Sequence, residues 1–508
     1  MKRRRAQPRL NLLDRAIASV SPRWGFKRLQ FRHALNLFEG GSRSRRTRGW
    51  HTPDSSIQAD TRRGLSVLRA RSRDLAQNNA YAAAAHRELP ANVVGDGITP
   101  HVNLPDPASR APGEAVMKEW FDTTACDYYG RLNFYGLESL VMRTVVEAGE
   151  CLVRRHRRTG PLSEIPLQVQ VLEPDHIDTL KDGFGVAGGG MVVQGVEFDA
   201  QGRRVAYWIY DHHPGDQHYH MTQIKSSRVP ASEILHVFRV DRAGQVRGVP
   251  WSAPVILRIR SFEETADARL EQQKVAACFS AFVTPGDPFG QAAVEDEDYE
   301  LPERLEPGMI EVLGNGKEVT FANPPSVGGF GEYSTITLHE IAAGYGLPYS
   351  VLTGDLSRVN FSSGRMGDRA FARNVKQWQQ NLMIPQLCQP VERWFMEAAV
   401  AARRLAEPVS VRWSPPRREL TDPAREIPAL RDAARSGQIP QPELIRQNGY
   451  DPDDFLREVQ DWNRRMDEMG ITFDSDPRKL SGAGLAQPDK DDALRPTTSP
   501  EDDDEIDQ

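Results

Sequence analysis

Apolar residues recur at helical spacing over much of the first 150 residues. An Ala-rich run from residue 60 to about residue 89 carries an irregular apolar stripe, which predicts one helix. The stripe comprises Leu65, Leu68, Leu75 and Ala82. A turn-rich stretch ends this helix, and the same spacing predicts two more helices, one starting near Gly113 and one over residues 132–148.

Beyond Gly149 the spacing changes to that of strands. Short runs of β-branched and aromatic residues alternate with Gly, Pro and Asp clusters, a pattern typical of strands joined by hairpins. The runs cover residues 151–153, 167–172, 191–198, 204–210 and 234–238. This part therefore predicts antiparallel sheet, with a short helical turn after Pro230 that leads into the last strand.

A long helix is predicted from Trp251 onwards. Its apolar positions are spaced by 4, 4, 3, 4 and 4 residues and extend towards Val283. Roughly thirty residues would span about 45 Å at 1.5 Å per residue. The positions are Trp251, Val255, Ile259, Phe262, Ala266 and Leu270. An acidic Pro/Gly-rich stretch follows, and Asn315-Gly316 within the strand-like residues 309–321 predicts a hairpin turn.

The last third of the chain is mainly helical. A short helix over about residues 334–345 precedes a loop, and Ser363 or its neighbour is placed to N-cap another long helix. Pro385 and Pro390 interrupt that helix and predict kinks. A strand over residues 409–414 and two shorter helices follow, so the whole pattern predicts an α+β fold.

The net charge of −6 over 508 residues conceals a gradient. Residues 1–50 hold 14 Lys and Arg against 2 acids, a net of +12, and residues 488–508 hold 9 acids against 2 basic residues, a net of −7. Residues 51–487 therefore carry −11. Like-charged segments bury too little apolar surface to offset the entropy of ordering, so the basic arm and the acidic tail are predicted to be mobile.

Neither catalysis nor metal binding is indicated by the motifs. The four cysteines are widely separated and no run of eighteen apolar residues occurs, so a disulfide framework, a zinc finger and a membrane span are not expected. Residues 211–220 contain four histidines and two carboxylates without helical metal-ligand spacing, which favours a solvated loop over a metal site. Glycines at 188–190 and 314–317 lack the remainder of a phosphate-binding loop. We therefore expect no catalytic residue, no metal and no cofactor.

Four basic residues at spacings of 4, 4 and 3 share one face of the helix predicted after Ser363. They are Arg365, Arg369, Arg373 and Lys376. Such a face on an otherwise acidic body is able to touch a phosphate backbone without reading base sequence. A solvated face, or ion pairs with a neighbouring copy, is the simpler interpretation of these residues, and the sequence alone favours it.

Several strings spread over about residues 55–480 resemble the lambda-type portal proteins of tailed bacteriophages, the head-tail connector family. No single string encodes a chemistry, and the resemblance rests on their combination and order. The strings are Gly149–Arg155, Leu172–Asp178, Val240–Trp251, Lys274–Phe279, Gly346–Ser357 and Trp378–Trp394.

The resemblance implies a portal fold with a wing, stem helices, a clip and a helical crown. The implied division is a basic mobile arm (1–50), a wing (51–250), a long stem helix (251–283), a β-containing clip (284–330), a second stem helix (331–346), a tunnel loop (347–362), a kinked helix with inner wing and crown (363–480) and an acidic disordered tail (481–508). The candidate tunnel-loop residues are Leu352, Asp355, Arg358 and Asn360. The basic stripe becomes a candidate for DNA contact in the channel.

The implied function is that of a ring, usually of twelve subunits, at one capsid vertex. Double-stranded DNA passes through it without sequence-specific contact, and a large terminase, head-completion or tail-connector proteins and the major capsid protein are the expected partners, without a membrane. We expect the protein in the virion and, during assembly, in the host cytoplasm. Two alternatives remain: another structural head protein, such as a capsid or scaffold subunit, and a DNA-packaging enzyme, which would need a Walker motif or an acidic metal cluster that the sequence lacks.

Overall fold

The computed structural model describes residues 54–473 with gaps, a few positions near residue 20, and Arg478. The chain divides after Asp60 into two units, and all the sheets and helices named below belong to the second unit, apart from the first turn of the first helix. The gaps are residues 105–106, 161, 184, 187, 217–224, 278–280, 286–316, 322–328, 358–360, 417–421, 449, 451 and 474–477.

The helices before the larger sheets are the predicted ones with two differences: the first is divided, and the helix predicted to start near Gly113 begins at Pro107. The Asn79 side chain accepts hydrogen bonds from the amides of Tyr81 and Ala82, so it caps a second helix where one continuous helix was predicted over residues 60–89. The last of these helices ends at Gly149, whose φ of 91° suits glycine. They are α1 (Ile57–Asn78), α2 (Ala80–Val93), α3 (Pro107–Phe121) and α4 (Phe134–Ala148).

The predicted short strands form two antiparallel sheets. A three-stranded sheet has the order β3-β2-β9, and a five-stranded sheet runs in chain order from β4 to β8. A single turn of 3-10 helix at Ala231–Glu233 leads into β9, as the sequence predicted. The strands are β1 (Thr99–Val102), β2 (Glu150–His156), β3 (Gln168–Leu172), β4 (Gly185–Val186), β5 (Gly190–Val193), β6 (Val196–Phe198), β7 (Arg204–Tyr210), β8 (Ser226–Pro230) and β9 (Ile234–Phe238).

The helix predicted over residues 251–283 is shorter at both ends. Trp251 lies in a turn, and α5 (Ile256–Ala277) begins after Pro254, which has no amide hydrogen to continue a helix backwards. Val283 lies in β10 (Ala281–Pro285), which pairs antiparallel with β11 (Lys317–Phe321). The predicted Asn315-Gly316 turn and most of residues 284–330 lie outside the described residues. The second long helix of this region is α6 (Phe330–Tyr345).

A continuous helical run follows the loop after α6. It comprises α8 (Phe361–Trp378), a π-helix (Gln379–Cys388) and α9 (Gln389–Ala401), and a short α7 (Tyr349–Thr353) precedes it. Helix α8 begins two residues before the predicted cap at Ser363. Pro385 lies inside the π-helix and Pro390 is the second residue of α9, so the run stays helical through both prolines. The hydrogen bonds of the π-helix reach five residues back, as from the Gln389 amide to the Ile384 carbonyl. The kinks at the two prolines stay a prediction.

A strand in the last quarter of the chain pairs with the first strand. Strand β12 (Val411–Ser414) pairs antiparallel with β1, which places Val102 opposite Val411. Three helices follow where two were predicted. They are α10 (Pro423–Arg435), α11 (Gln441–Gln447) and α12 (Pro452–Met469).

One apolar core joins α1 to α9 with β1, β2, β3, β9 and β12, and a smaller one lies under the five-stranded sheet. Aromatic residues occupy the centre of the larger core, where the Trp120 indole N–H donates to the Leu167 carbonyl at 2.9 Å. The cluster consists of Trp120, Phe121, Phe134, Phe395 and Trp413. In the described part of the chain no helix combines the length and apolar character that crossing a bilayer requires.

Candidate nucleic-acid interface

The predicted basic stripe lies on α8. The side chains of Arg369, Arg373 and Lys376 are exposed, and none of them forms an ion pair with another described residue. The backbone of Arg365 belongs to the same helix, but its side chain is outside the described part. The structure thus presents at least three cations to solvent on the face that the spacing predicted.

The opposite face of α8 packs into the core. Phe371 is 5% exposed, and the Trp378 ring lies 4.8 Å from the Trp251 ring and 6.4 Å from the Phe371 ring. Aromatic contacts at these distances stabilise the packed face beyond its burial alone. This packing fixes the rotation of α8 about its axis, so the cations are directed outwards.

Two glutamines of the π-helix tie this helical run to the rest of the core. The Gln379 amide donates to the Val93 carbonyl at 2.9 Å. The Gln386 side chain pairs with the backbone of Phe238, accepting from its N–H at 3.1 Å and donating to its C=O at 3.2 Å. These bonds satisfy backbone groups at the end of α2 and at the end of β9, which would otherwise lack partners.

Half of the candidate tunnel-loop residues are described. Leu352 lies in α7 and is 3% exposed, so it belongs to the core rather than to a loop. Asp355 is half-buried in a turn, where it accepts hydrogen bonds from the Tyr349 hydroxyl at 3.2 Å and from the Ser357 amide at 2.9 Å. Arg358 and Asn360 are outside the described residues. Residues 349–353 of the candidate loop belong to α7 and residues 361–362 belong to α8, and the described residues 354–357 between them are not helical.

A buried ionic cluster that the sequence did not single out joins the elements that lead into α5. The Glu150 carboxylate binds both Arg69 and Arg247, the latter with Nε to Oε1 at 2.9 Å. It also contacts the His236 ring at 2.8 Å and accepts from the Gly248 amide at 2.6 Å. All four side chains are almost fully buried. The cluster connects α1, β2, β9 and the segment before Trp251.

The titration of this cluster follows from its composition. Burial alone would raise the pKa of the Glu150 carboxyl, but Arg247 and Arg69 hold that pKa well below its usual range. Burial lowers the pKa of Arg69 to about 10, and burial also lowers the pKa of His236. Glu150 supplies one negative charge for two arginines, so one positive charge has no carboxylate of its own. Backbone carbonyls stabilise that charge, since Arg247 donates to the Gln194 carbonyl at 2.9 Å. Charge-assisted hydrogen bonds of this kind are stronger than neutral ones, so they hold the four elements together.

Glu138 is a second buried carboxyl that the sequence did not indicate. It lies on α4, fully buried, where it accepts from the Ile98 amide at 2.8 Å and from the Cys388 thiol at 3.3 Å. Burial raises the pKa of Glu138 to about 8, and the two hydrogen bonds offset only part of that effect. The carboxyl is therefore largely protonated at neutral pH, and it joins α4 to the end of the π-helix.

The histidine-rich residues 211–220 are partly described, and His213 approaches Glu173 and Asp175. Their potential ligand atoms lie within 4.8 Å of one another. The Arg73 guanidinium, however, binds Glu173 and Asp175 at 2.5 Å each. Burial would raise the pKa of Asp175, but Arg73 lowers it, as expected for an ion pair. A cation at this place would compete with the Arg73 guanidinium, which already pairs with both carboxylates.

Comparison with known proteins identifies the family. Residues 43–379 match the model of the phage portal proteins of the lambda family. The chain is 27% identical over 463 residues to a probable portal protein of Halomonas phage phiHAP-1, covering 85% of this chain and 87% of that protein. It is 22% identical over 419 residues to the portal protein of Escherichia phage N15, covering 74% and 77% respectively.

Solved structures of gene transfer agent (GTA) particles also match. The neck of a native GTA particle, computed with C12 symmetry, gives a TM-score of 0.47 at 14% identity, and the virion of a native GTA particle gives 0.45 at 14% identity. Each match covers 77% of this chain and 94% of the other. The family match extends over about two thirds of the sequence and includes both larger sheets, α5, α6 and α8. The chain therefore belongs to the lambda family of phage portal proteins, which form the channel for DNA at one vertex of the capsid.

Proposed function

We propose that twelve copies of this chain close into the portal ring and that the exposed basic face of α8 contacts the double-stranded DNA passing through it. The observation that carries the DNA contact is the outward position of Arg369, Arg373 and Lys376, which have no ion-pair partner among the described residues. The remaining residues of the candidate set, Arg365 in the stripe and Asp355, Arg358 and Asn360 in the loop before α8, are proposed to lie at the same channel wall.

The charge distribution suits a protein that lets DNA slide. Helix α8 carries four basic residues and one acid, Asp368, whereas residues 51–487 as a whole carry −11. A few cations contact phosphates through counterion release without reading bases, and the surrounding negative charge repels the polyanion. Repetition of the same face around a ring gives contacts that are individually weak and equivalent around the DNA axis.

The DNA contact is tested by a triple substitution, Arg369→Ala, Arg373→Ala and Lys376→Ala. We expect rings to form normally, while the salt dependence of DNA retention falls by about 0.9 in slope for each phosphate that the variant no longer neutralises. We also expect about tenfold less DNase-protected DNA per particle, because fewer counterions are released when the DNA binds. Retention at a series of salt concentrations and the protected DNA are the two measurements.

A matched control removes the same charge elsewhere. Arg63→Ala, Arg71→Ala and Arg87→Ala act on exposed positions of α1 and α2. Equal losses in both triple variants would assign the effect to overall charge rather than to α8. Unchanged packaging, ejection and salt dependence in the α8 variant would remove these residues from the channel.

The ring is tested by electron microscopy of the purified protein. Closed rings with a central hole are expected, and a protein that stays monomeric at every concentration would contradict the proposal. A capsid or scaffold subunit would not form such isolated rings. The family is structural, and we propose that this chain has no catalytic activity of its own.

The partners follow from the same proposal. The clip, residues 284–330, would receive the large terminase during packaging and head-completion or tail-connector proteins afterwards, while the wing would face the major capsid protein. As a member of its family the chain belongs to the phage particle, and its assembly would take place in the host cytoplasm.

A further inference from the structure

The acidic tail carries charge at nearly the density of a DNA strand. Six of the seven residues 501–507 are acidic, and Ile506 is the exception. An extended chain advances about 3.4 Å per residue, so this run presents about one negative charge every 4 Å. One strand of B-DNA carries one phosphate charge per about 3.4 Å of helix axis. Residues 501–507 therefore offer a row of cations almost the same line of negative charge as DNA does.

The basic face of α8, formed by Arg369, Arg373 and Lys376, is a site of matching size. Its ends are seven residues apart in sequence, which corresponds to about 10 Å along the helix axis. About three carboxylates of an extended chain fit that length. All three side chains are exposed, and none of them pairs with a carboxylate of another described residue. The face is therefore open to an acidic segment as well as to phosphates.

The chain is long enough to bring the tail to this face. Apart from Arg478 the described residues end at Phe473, and Glu501 follows 28 positions later. A flexible chain of this length has a root-mean-square span of about 30 Å. A tether of this kind holds its end at a high effective concentration, so even a weak contact is populated.

The basic arm is the competing partner for the tail. Residues 1–50 carry +12, but their composition predicts a mobile arm, so pairing with the tail would cost the ordering entropy of two segments. On α8 only the tail has to be ordered, because Phe371 and Trp378 pack against the core and fix the helix. Residues 51–487, with −11, repel the tail from most other places. These contributions favour α8.

We propose that residues 501–507 occupy the basic face of α8 before DNA enters the portal and that the DNA displaces them. The inference rests on the DNA contact proposed above and adds a regulation of that site. The tail keeps the face from holding other polyanions while the channel is empty. A duplex carries two strands of charge and extends beyond the length of the tail, so it binds the face more strongly once it is in the channel.

Carbodiimide cross-linking of the purified full chain tests the contact directly. The reagent joins a lysine to a carboxylate that pairs with it, so a peptide containing Lys376 should be linked to a peptide containing residues 501–507. Lys118 of α3 is the control, because it is also exposed and has no ion pair with a described residue, and it should not be linked to the tail. An excess of short duplex DNA should abolish the Lys376 link.

DNA binding by a tail variant gives a second measurement. A tail that occupies the face about nine-tenths of the time lowers the apparent affinity for DNA about tenfold, so removal of four tail charges should raise that affinity by about this factor. The changes are Asp502→Asn, Asp503→Asn, Asp504→Asn and Glu505→Gln.

A matched control removes four acids from exposed positions of α12. The changes are Glu458→Gln, Asp461→Asn, Asp467→Asn and Glu468→Gln. This variant should gain much less affinity for DNA than the tail variant. Equal gains in the two variants would assign the effect to overall charge and overturn the inference.

The remaining outcomes separate this inference from the DNA contact itself. Links from the tail to Lys2 or Lys27 in place of Lys376 would show that the tail pairs with the arm, which overturns the inference. A Lys376 link that persists with DNA bound would overturn the displacement. Absence of the Lys376 link, together with DNA retention that still falls in the α8 triple variant, would overturn the tail contact and leave the proposed DNA contact intact.

Discussion

Two groups of basic residues in this portal protein lie in opposite surroundings. Arg69 and Arg247 are buried around Glu150, while Arg369, Arg373 and Lys376 are exposed on α8. The residue type is nearly the same in both groups. The difference is a carboxylate supplied from far along the chain, 81 residues from Arg69 and 97 from Arg247. A cation paired in this way stabilises the fold, whereas a cation without such a partner is able to bind a ligand.

The comparison predicts its largest effect at Glu150. Glu150→Gln keeps the size of the side chain but leaves two buried guanidinium groups without a counter-charge, which should cost about 3–5 kcal/mol of unfolding free energy. Denaturant unfolding of the variant measures the loss. The matched control is Glu340→Gln, which breaks the half-exposed pair with Arg258 and should cost at most about 1 kcal/mol. Similar losses in the two variants would refute the contrast.

A second prediction concerns a buried carboxyl that has no cation. The raised pKa of Glu138, about 8 against an ordinary 4.5, means that the native state binds a proton that the unfolded state releases between these values. Stability should therefore fall as pH rises from about 5 to 8, by up to about 1.4 kcal/mol per pH unit. Glu138→Gln should remove this dependence. Unfolding midpoints at several pH values test it, and parallel curves for variant and parent would contradict it.

The contrast between buried and exposed positions extends to glycines of α6. A Cβ at Gly344 would lie 2.2 Å from Val255 Cγ1, so Gly344→Ala should overpack the contact with the segment before α5 and cost about 1–3 kcal/mol. Gly331 has nothing within 4 Å of the same position, and Gly331→Ala should stabilise the helix by about 0.5–1 kcal/mol. Thermal unfolding of both variants gives the comparison. A stable Gly344 variant would mean that α5 and α6 separate easily.

The smallest effect on stability is expected at the basic face of α8. Each of Arg369→Ala, Arg373→Ala and Lys376→Ala should change the unfolding free energy by no more than about 0.5 kcal/mol, because these side chains make no ion pair with a described residue. Unfolding of the single variants measures this. A loss of several kcal/mol from any one of them would mean that it belongs with Arg69 and Arg247 as a structural cation.

Local patterns predicted much of the fold. The α+β class and the family were correct, as were the helix over residues 132–148 and the short strands, because their apolar period and turn residues agree with their packing. The basic face of α8 was also visible in the spacing of its residues. Whether those residues meet DNA stays a prediction.

What escaped prediction depends on contacts between distant segments. The division of α1 from α2 results from the side chain of Asn79, and the end of α5 from the pairing of Val283 with Val319 across a long insertion. The apolar period is continuous over residues 60–89 and over residues 251–283, so the sequence pattern does not reveal these helix ends. Glu150 and Glu138 look like ordinary surface acids until the fold buries them. Leu352 was placed in the tunnel loop that the resemblance implies, although α7 packs it into the core.

The π-helix between α8 and α9 has a further consequence. Residues 379–388 contain no charged side chain, yet their wider winding offsets the phase of α8 from that of α9. In an α-helix each residue advances the face by about 100°, so the removal of one residue from this neutral segment would turn the cations of α8 towards a different surface while α9 stayed in the core. The direction in which this portal presents positive charge thus depends on the length of a neutral spacer as well as on the aromatic packing of α8.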